Sequence, residues 1–432
     1  MRERLADIAH QILEKLPPKV SGASVTVALT DSTPVNFEHD KLKSIKSSKT
    51  LSLSLKVIVD GKLGRASVTS PQDIDALIEN AVSSAAFGRE VKFDFPSPSE
   101  LPQVKLFDEE VERIETARMV DMCREMIEIL KGYRSEIVTY ASASKSVTYL
   151  HMANTNGLDY GDAFSSFSVW LLGELVKDED IVYAGHGFSW RRAEIDHKGI
   201  AERVVDKFRK AERTAKISPG RYPVIFPPTG LDILLLTLRL ALNGKNVLMG
   251  ESPLSDKLGK AAFSPAFTLI DSALIDYMSG SGKLDSDGVP KGERKLIDEG
   301  VVKGFLYDLD TASRAGVPPT GNDGCSPNNW IIEPGEGSLE EMVASVREGL
   351  IAEDFIGLGQ GNPISGEFSV NVALGYKIEN GEIVGRVKNT MLAGNVYEAL
   401  KGEIILSGER EWVGGWLYAP AVMIPELNVT SK

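Results

Sequence analysis

YPVIFPPTGLDILLLTLRLAL, residues 222–242, predicts a buried strand, a proline-rich turn and a long apolar helix. Histidines four or five positions apart on such a helix can converge on one zinc ion. The predicted helix, 231–242, contains neither histidine nor glutamate. A helix with leucine on every side is typical of buried packing. We therefore expect this segment to support the fold without binding a metal.

Length and charge bound the class of protein. The chain has 432 residues and a formal net charge of −13, and this length is enough for two or three domains of about 150 residues each. An acidic chain disfavours binding to DNA or to anionic lipid, because both reward clustered lysine and arginine. The first ten residues predict a charged amphipathic helix and not a signal peptide. No apolar run approaches the ~20 residues of a membrane span. We expect a cytoplasmic protein that does not bind nucleic acid directly.

Periodicity and turn residues predict an α+β, multi-domain fold. Strict alternation at 51–59 indicates a half-buried strand, and Asp60-Gly61 after it indicates a hairpin turn. The proline-rich stretch 95–102 predicts a linker. Glycine-dense sequence beyond residue 242 indicates short strands in a barrel or a sandwich. The predicted units are an N-terminal α+β domain (1–95), a middle helix and β-meander domain (105–216) and a C-terminal β-rich domain (220–432).

The individual elements follow from the same patterns. The predicted helices lie at 3–16, 71–87, 116–130, 200–215 and 231–242. The predicted strands lie at 24–30, 51–59, 63–68, 137–142, 146–151, 164–172, 222–226, 301–306, 366–377, 382–387 and 421–424.

Few side chains offer catalytic chemistry. No two of the five histidines are three to five residues apart, and we interpret them as surface or turn residues: His10, His39, His151, His186 and His197. Cys123 lies on the apolar face of a predicted helix, which is typical of an inert core thiol. Cys325 lies in a predicted loop and is the one nucleophile that an autonomous hydrolase could use, but no base can be placed beside it.

Several stretches share their order and spacing with one known family. They are Val59–Ser67, Asn154–Gly157, Asp285–Pro290, Glu299–Asp308, Gly359–Ser369, Ile378–Glu382 and Leu392–Asn395. Together they span nearly the whole chain and resemble the TldD/PmbA family, once called modulators of DNA gyrase. The resemblance implies a metallopeptidase scaffold. In TldD-like members a helix bearing His-Glu-x-x-x-His and a cysteine near the C-terminus hold zinc.

The missing ligands point to one branch of that family. The equivalent helix here is 231–242, without a ligand, and the closing region 412–420 contains no cysteine. PmbA-like members, also called TldE, lack the zinc motif and partner a TldD-like subunit. The resemblance thus implies no catalytic residue and no metal or other cofactor on this chain, with zinc expected on the partner.

The resemblance also implies a function. We expect a noncatalytic subunit of a zinc metallopeptidase complex that processes unfolded or extended peptides, as a heterodimer or as a homodimer when alone. Peptide contacts are predicted at two turns, the first at Asn154 and Gly157, the second at Gly361, Ser365, Gly366 and Phe368. Two alternatives stay open: an autonomous hydrolase with a rearranged site, and a protein-binding gyrase modulator outside proteolysis.

Overall fold

The computed structural model describes residues 2–178 and 180–431. Its helices are α1 (Arg2–Glu14), α2 (Ile74–Ala85), α3 (Glu109–Arg113), α4 (Thr116–Tyr133), α5 (His197–Lys210), α6 (Asp232–Ala241), α7 (Gly244–Leu248), α8 (Leu309–Ala315), α9 (Leu339–Ala344) and α10 (Val396–Lys401).

Most strands of the first half are long. They are β1 (Val20–Glu38), β2 (Lys41–Ile45), β3 (Ser48–Val59), β4 (Lys62–Val68), β5 (Val138–Asn154), β6 (Asp159–Lys177), β7 (Asp180–Trp190) and β8 (Thr214–Ala215). The second half contains β9 (Gly220–Phe226), β10 (Leu269–Ser272), β11 (Glu293–Asp298), β12 (Val301–Val302), β13 (Asn329–Ile332), β14 (Glu348–Ile356), β15 (Glu367–Glu379), β16 (Glu382–Val387), β17 (Thr390–Asn395), β18 (Ile405–Val413) and β19 (Leu417–Ser431).

A seven-stranded antiparallel sheet forms the first half of the molecule. Its order is β4-β3-β1-β5-β6-β7, and β2 pairs with the end of β1. Strands from the predicted first and middle units therefore share one sheet, joined by the long β1–β5 ladder. Helices α1 and α2 pack on one end of a sheet face, and α4 and α5 pack on the other end of that face. The domain boundaries at 1–95 and 105–216 stay predictions.

The second half contains a closed β-barrel. Five strands form the ring, because β19 pairs with β9, β9 with β14, β14 with β15, β15 with β17, and β17 with β19 again. Closure removes the free edges that an open sheet would leave. The leucines of α6 pack in the same core cluster as the inward residues of this ring. The predicted class, α+β and multi-domain with a barrel-like C-terminal region, is confirmed.

Several predicted elements have different bounds in the structure. The segments 137–142 and 146–151 are one strand, β5, because the small residues between them pair with both β1 and β6. The helix predicted at 200–215 ends at Lys210, and the chain then forms β8. The strand predicted at 301–306 is only β12, before Gly304. Within the described residues, none of the helices combines the length and apolarity needed to cross a bilayer.

The two halves share a core. One buried cluster contains Met126 of α4 and Phe208 of α5 together with Ile351 and Tyr376 of the barrel. An ion pair joins the halves elsewhere, since Lys56 Nζ lies 2.5 Å from Asp287 Oδ1. The relative position of sheet and barrel is therefore set by buried apolar surface.

Gly64 generates a prediction about this packing. A Cβ at residue 64 would lie 2.0 Å from the carbonyl oxygen of Ala81, so α2 can approach β4 only at a glycine. We expect Gly64→Ala to lower the free energy of unfolding by about 1–3 kcal/mol, the usual cost of overpacking, as measured by urea denaturation.

The matched control is Gly132→Ala, in α4. A Cβ there would meet no atom within 4 Å, and alanine favours a helix over glycine by up to about 1 kcal/mol. Equal stability of the Gly64→Ala variant and the wild-type protein would contradict the close-packing argument.

Candidate functional site

Two adjoining cavities lie between the N-terminal sheet and the barrel. Their volumes are about 710 Å³ and about 490 Å³. Four residues line both of them, one each from β7, α5, the turn after β9, and β14: His186, Lys207, Thr229 and Glu353. We call the two cavities together the central cavity. A large concave surface of this kind is the default candidate for a binding site.

The turn at residues 228–230 brings the strand–helix unit to the floor of the cavity. Pro227, Pro228 and Thr229 line it directly. Gly230 follows, and a Cβ at this position would lie 2.2 Å from the carbonyl oxygen of Ala352. Only glycine allows this contact with β14, and the contact places Thr229 close to Glu353, the residue after Ala352. The sequence that predicted a strand, turn and helix therefore also shapes the floor.

A buried ion pair lies where the two cavities meet. Lys207 Nζ is 3.2 Å from Glu353 Oε2, with the side chains 14% and 10% exposed. The same ammonium donates a hydrogen bond to the carbonyl oxygen of Gly185, at 3.3 Å. Removing one charge from such a pair leaves the other buried without compensation. The pair therefore keeps α5, β7 and β14 in one arrangement around the cavity.

His186 projects into the same place from β7. Burial, together with the neighbouring Lys207 and Arg203 charges, lowers the pKa of its imidazole to about 4. The imidazole is neutral at pH 7 as a result. A neutral imidazole can accept or donate a hydrogen bond, but it adds no positive charge to the cavity.

One wall of the cavity is an open sheet edge. β7 is the last strand of its sheet, and residues 183–189 line the smaller cavity. Along an edge strand, every second residue directs its N–H and C=O groups away from the neighbouring strand, here β6. Two hydrogen bonds show which residues of β7 do so. Gly185 O accepts from Lys207 Nζ, and Ser189 O accepts from Ser279 Oγ. The same parity directs the N–H and C=O groups of Tyr183 and Gly187 outward.

Apolar side chains cover the face beside that edge. Trp170 of β6 is opposite Gly187, and a Cβ at residue 187 would lie 2.5 Å from the indole Cδ1. Trp170 and Tyr183 line the smaller cavity and are 41% and 46% exposed. An apolar wall beside free backbone groups is suited to an extended peptide.

Helix α6 contributes no metal ligand to the cavity. Leu234, Leu235 and Leu238 are buried in the barrel core, and the ionisable residues of α6 are Asp232 and Arg239. Among residues 2–178 and 180–431, three His, Cys, Asp or Glu ligand atoms approach one another closely at one place, formed by His10, His151 and Asp159. That group is not part of the central cavity.

Comparisons with known proteins are consistent over the whole chain. Residues 23–85, 109–211 and 219–431 match the models of PmbA/TldA metallopeptidase domain 1, the central domain and the C-terminal domain. The chain belongs to the PmbA/TldD family. Metalloprotease PmbA of Escherichia coli O157:H7 is 24% identical over 445 residues, which cover 100% of this chain and 97% of that protein.

Two solved structures share the fold of this PmbA/TldD family member. A putative modulator of a DNA gyrase from Thermotoga maritima has a TM-score of 0.90 and 24% identity, with 100% of both chains covered. TldE from Thermococcus kodakarensis has a TM-score of 0.87 and 22% identity, with 99% of both chains covered. At these identities the likeness shows the fold alone.

The first predicted peptide-contact turn has a structural function. Asn154 is buried, donates to the carbonyl oxygen of Pro96 at 2.8 Å, and accepts from the backbone N–H groups of Asn156 and Leu158. Gly157 completes the turn at φ +88°. These bonds use the polar atoms of the Asn154 side chain, and the two residues are absent from the described lining of the central cavity.

The second predicted turn lies against α6. Gly361 and Gly366 both have φ +83°, and Ser365 Oγ donates to Asn362 O at 2.8 Å. Phe368, the second residue of β15, pairs with Gly394. Thr237 of α6 donates to Pro363 O at 3.0 Å. The structure does not bring this turn together with Asn154 and Gly157. Peptide contact at either turn stays a prediction.

Sequence reasoning placed three histidines wrongly. His197 is buried on α5 beside Glu125, His186 lies in β7, and the His151 side chain in β5 is 12% exposed. These are not surface or turn residues, because a strand or a helix carries each one into a packed face. Lys207 and Glu353 were also missed. An alternating strand pattern at 180–190 was the available signal for His186, and a lysine on the apolar side of α5 was the signal for the ion pair.

Both cysteines are buried, as was predicted for Cys123 but not for Cys325. Cys123 is a buried core residue, as predicted, and burial raises the pKa of its thiol to about 12. Cys325 is also buried, although a loop position suggested reactivity. Burial raises the pKa of this thiol too, and its Sγ accepts a hydrogen bond from Asp308 N at 3.3 Å. A thiol in this environment is a poor nucleophile.

The lowered pKa of His186 generates a prediction. As the pH falls from 6.5, the ordinary value for histidine, to about 4, the unfolded chain binds a proton that the folded chain excludes. The free energy of unfolding should therefore fall by about 1.4 kcal/mol per pH unit in this window, roughly 3 kcal/mol in total. We expect His186→Gln to remove this contribution, as measured by urea denaturation at several pH values.

His39→Gln is the control, since His39 is exposed and distant from the cavity. A His186→Gln variant whose stability depended on pH between 4 and 6.5 as strongly as that of the wild-type protein would contradict the prediction.

Proposed function

We propose that this chain is a noncatalytic, PmbA/TldE-like subunit of a cytoplasmic TldD-type zinc metallopeptidase complex. The observation that carries the proposal is α6, the helix that follows the cavity-lining turn at 228–230, whose buried leucines pack in the barrel core. A zinc peptidase needs a metal to polarise the carbonyl and activate water, with a carboxylate as base. A leucine side chain can neither bind the metal nor act as the base.

Two polar groups of the cavity are also poorly suited to hydrolysis. Glu353 is paired with Lys207, and His186 lies in the cavity as a neutral imidazole. Cys325, the one nucleophile that the sequence suggested, is buried with a raised pKa. These observations favour binding over hydrolysis and weaken the hypothesis of an autonomous enzyme.

The open edge of β7 supports the peptide-binding part of the proposal. Tyr183, Gly185, Gly187 and Ser189 direct backbone groups toward the smaller cavity, and Trp170 supplies apolar surface beside them. An extended peptide can add a strand at such an edge, where main-chain hydrogen bonds bind without regard to sequence and side-chain pockets select. Substrates would be unfolded or extended peptides for this reason.

The partner would be a TldD-like subunit that carries the zinc. In this arrangement the chain described here shapes the substrate groove and stabilises the partner. Alone it would form a homodimer that resembles the heterodimer, since two-fold dimers are the commonest oligomers.

Reconstitution tests the proposal. The purified chain alone should not cleave unfolded casein, with or without zinc. Mixed with the TldD-like protein of the same organism, it should co-elute in size-exclusion chromatography and raise zinc-dependent cleavage at least tenfold above that of the partner alone. Robust cleavage by this chain alone, or no complex and no stimulation, would overturn the proposal.

Tyr183→Pro tests strand addition in the reconstituted complex. Proline has no N–H group and tolerates an edge position because no ladder bond is lost there. We expect this variant to reduce peptide affinity at least tenfold, measured by fluorescence anisotropy with a labelled unfolded peptide. Tyr183→Ala, which loses the same ring and keeps the N–H, is the control. Equal affinity of the two variants would show that the β7 edge does not bind peptide.

A further inference from the structure

Three side chains far apart in sequence converge beside α1. His10 Nε2 lies 3.2 Å from Asp159 Oδ2, and His151 Nε2 lies 2.5 Å from Asp159 Oδ1. One ligand atom from each residue lies within 4.8 Å of the other two. The residues come from α1, β5 and β6, so no spacing in the sequence indicates the group.

The register between β5 and β6 places two of the three residues, His151 and Asp159, near each other. Asp159 is opposite Ala153, and Gly161 is opposite His151. Because side chains alternate between sheet faces, His151 and Asp159 lie diagonally on one face. Gly161 leaves room for the imidazole, since a Cβ there would be 3.3 Å from His151 Nδ1.

Helix α1 supplies the third position. Its apolar residues are buried on that same sheet face: Leu5, Ile8, Ala9 and Ile12. His10 follows Ala9 at the margin of this contact, and its side chain is 45% exposed. The Asp159 side chain is 54% exposed, while that of His151 is 12% exposed. The group therefore has one inner donor and two donors that solvent reaches.

The donor set and its geometry fit a transition metal. Two imidazole nitrogens and one carboxylate oxygen are ligands of the zinc class, and a water molecule commonly takes the fourth place. Two ligands at ~2.1 Å from a tetrahedral ion are ~3.4 Å apart, close to the 3.2 Å between His10 Nε2 and Asp159 Oδ2. The 2.5 Å between His151 Nε2 and Asp159 Oδ1 is shorter, so these two atoms would move apart to bind the same ion. The imidazole rings meet edge to face, with centroids 5.7 Å apart and planes at 87°.

The inner histidine is incompletely satisfied without an ion. His151 Nε2 is buried and makes no aligned hydrogen bond, although Asp159 Oδ1 is close. A buried polar atom without a partner is rare in native proteins and requires an explanation. A metal ion bound at this nitrogen would satisfy it.

We propose that His10, His151 and Asp159 bind one divalent transition-metal ion of the zinc class. The ion would link α1 to β5 and β6, outside the central cavity. Its function would be structural, because all three ligands lie on regular elements around the buried α1 contact. This site would revise the expectation that the chain binds no metal, while leaving α6 without a ligand.

Zinc titration of the full, tag-free chain tests the site. After removal of metal by a chelator, isothermal titration calorimetry should show one equivalent of Zn²⁺ bound. His10→Ala and Asp159→Asn should each lower the zinc affinity at least tenfold, and His39→Ala should keep it. Cobalt should give the absorption bands of a tetrahedral ion in the wild-type protein and weaker bands in the two ligand variants.

Thermal unfolding separates metal binding from a folding defect. Zinc should raise the Tm of the wild-type protein and of His39→Ala, and should not raise the Tm of His10→Ala, whose circular dichroism without metal should match that of the wild type. No saturable zinc binding, or unchanged affinity in both ligand variants, would overturn the proposal. None of these measurements depends on peptidase activity, so this site and the proposed function can fail independently.

Discussion

Burial of α4 and α5 between the N-terminal sheet and the barrel is the interaction on which the rest of the structure depends. Met126 and Phe208 share one cluster with Val169 of the sheet and with Ile351 and Tyr376 of the barrel. Burying side chains of this size stabilises by about 1.5–3 kcal/mol each, so the contact far exceeds what exposed ion pairs supply. Residues of the sheet, of α5 and of the barrel also line the central cavity.

The cavity lies beside that core, which explains its electrostatics. Lys207 is on α5, one residue before Phe208, so the helix that buries apolar surface also brings an ammonium to a largely buried position. Glu353 compensates it from the barrel, and the same burial keeps His186 neutral. The result is a site in which a buried ammonium and a buried carboxylate face each other beside a neutral imidazole.

Sequence patterns predict the regular elements well where one face is buried and the other is not. The alternation at 51–59 falls into this class, and the positive φ of Asp60 and Gly61 agrees with the hairpin turn predicted after it. The leucine-rich helix predicted at 231–242 is also present, as α6. The patterns fail where pairing across the chain decides the element. β5 runs through small polar residues because β1 and β6 both pair with it, and this long-range pairing has no local signature.

The site was less predictable than the fold for a related reason. The lack of histidine and glutamate in one helix can be seen directly in the sequence of that helix, as it was for residues 231–242. Side chains far apart in sequence come together only through the topology. Sheet register and helix packing bring Lys207 to Glu353, and His10 to His151. Turn motifs such as Asn154–Gly157 are conspicuous in sequence, but their side chains satisfy the turn itself.

The position of the open β7 edge bears on the function of the fold. An exposed edge invites pairing with other chains, and proteins usually cover it or shorten it. Here the edge faces a cavity, with Lys207 already bonded to Gly185 O and Ser279 to Ser189 O. These two bonds occupy every second outward carbonyl oxygen. The outward N–H and C=O groups of Gly187 lie between the two bonds, and those of Tyr183 lie before them. Under the proposed function, this edge would accept a single extended chain.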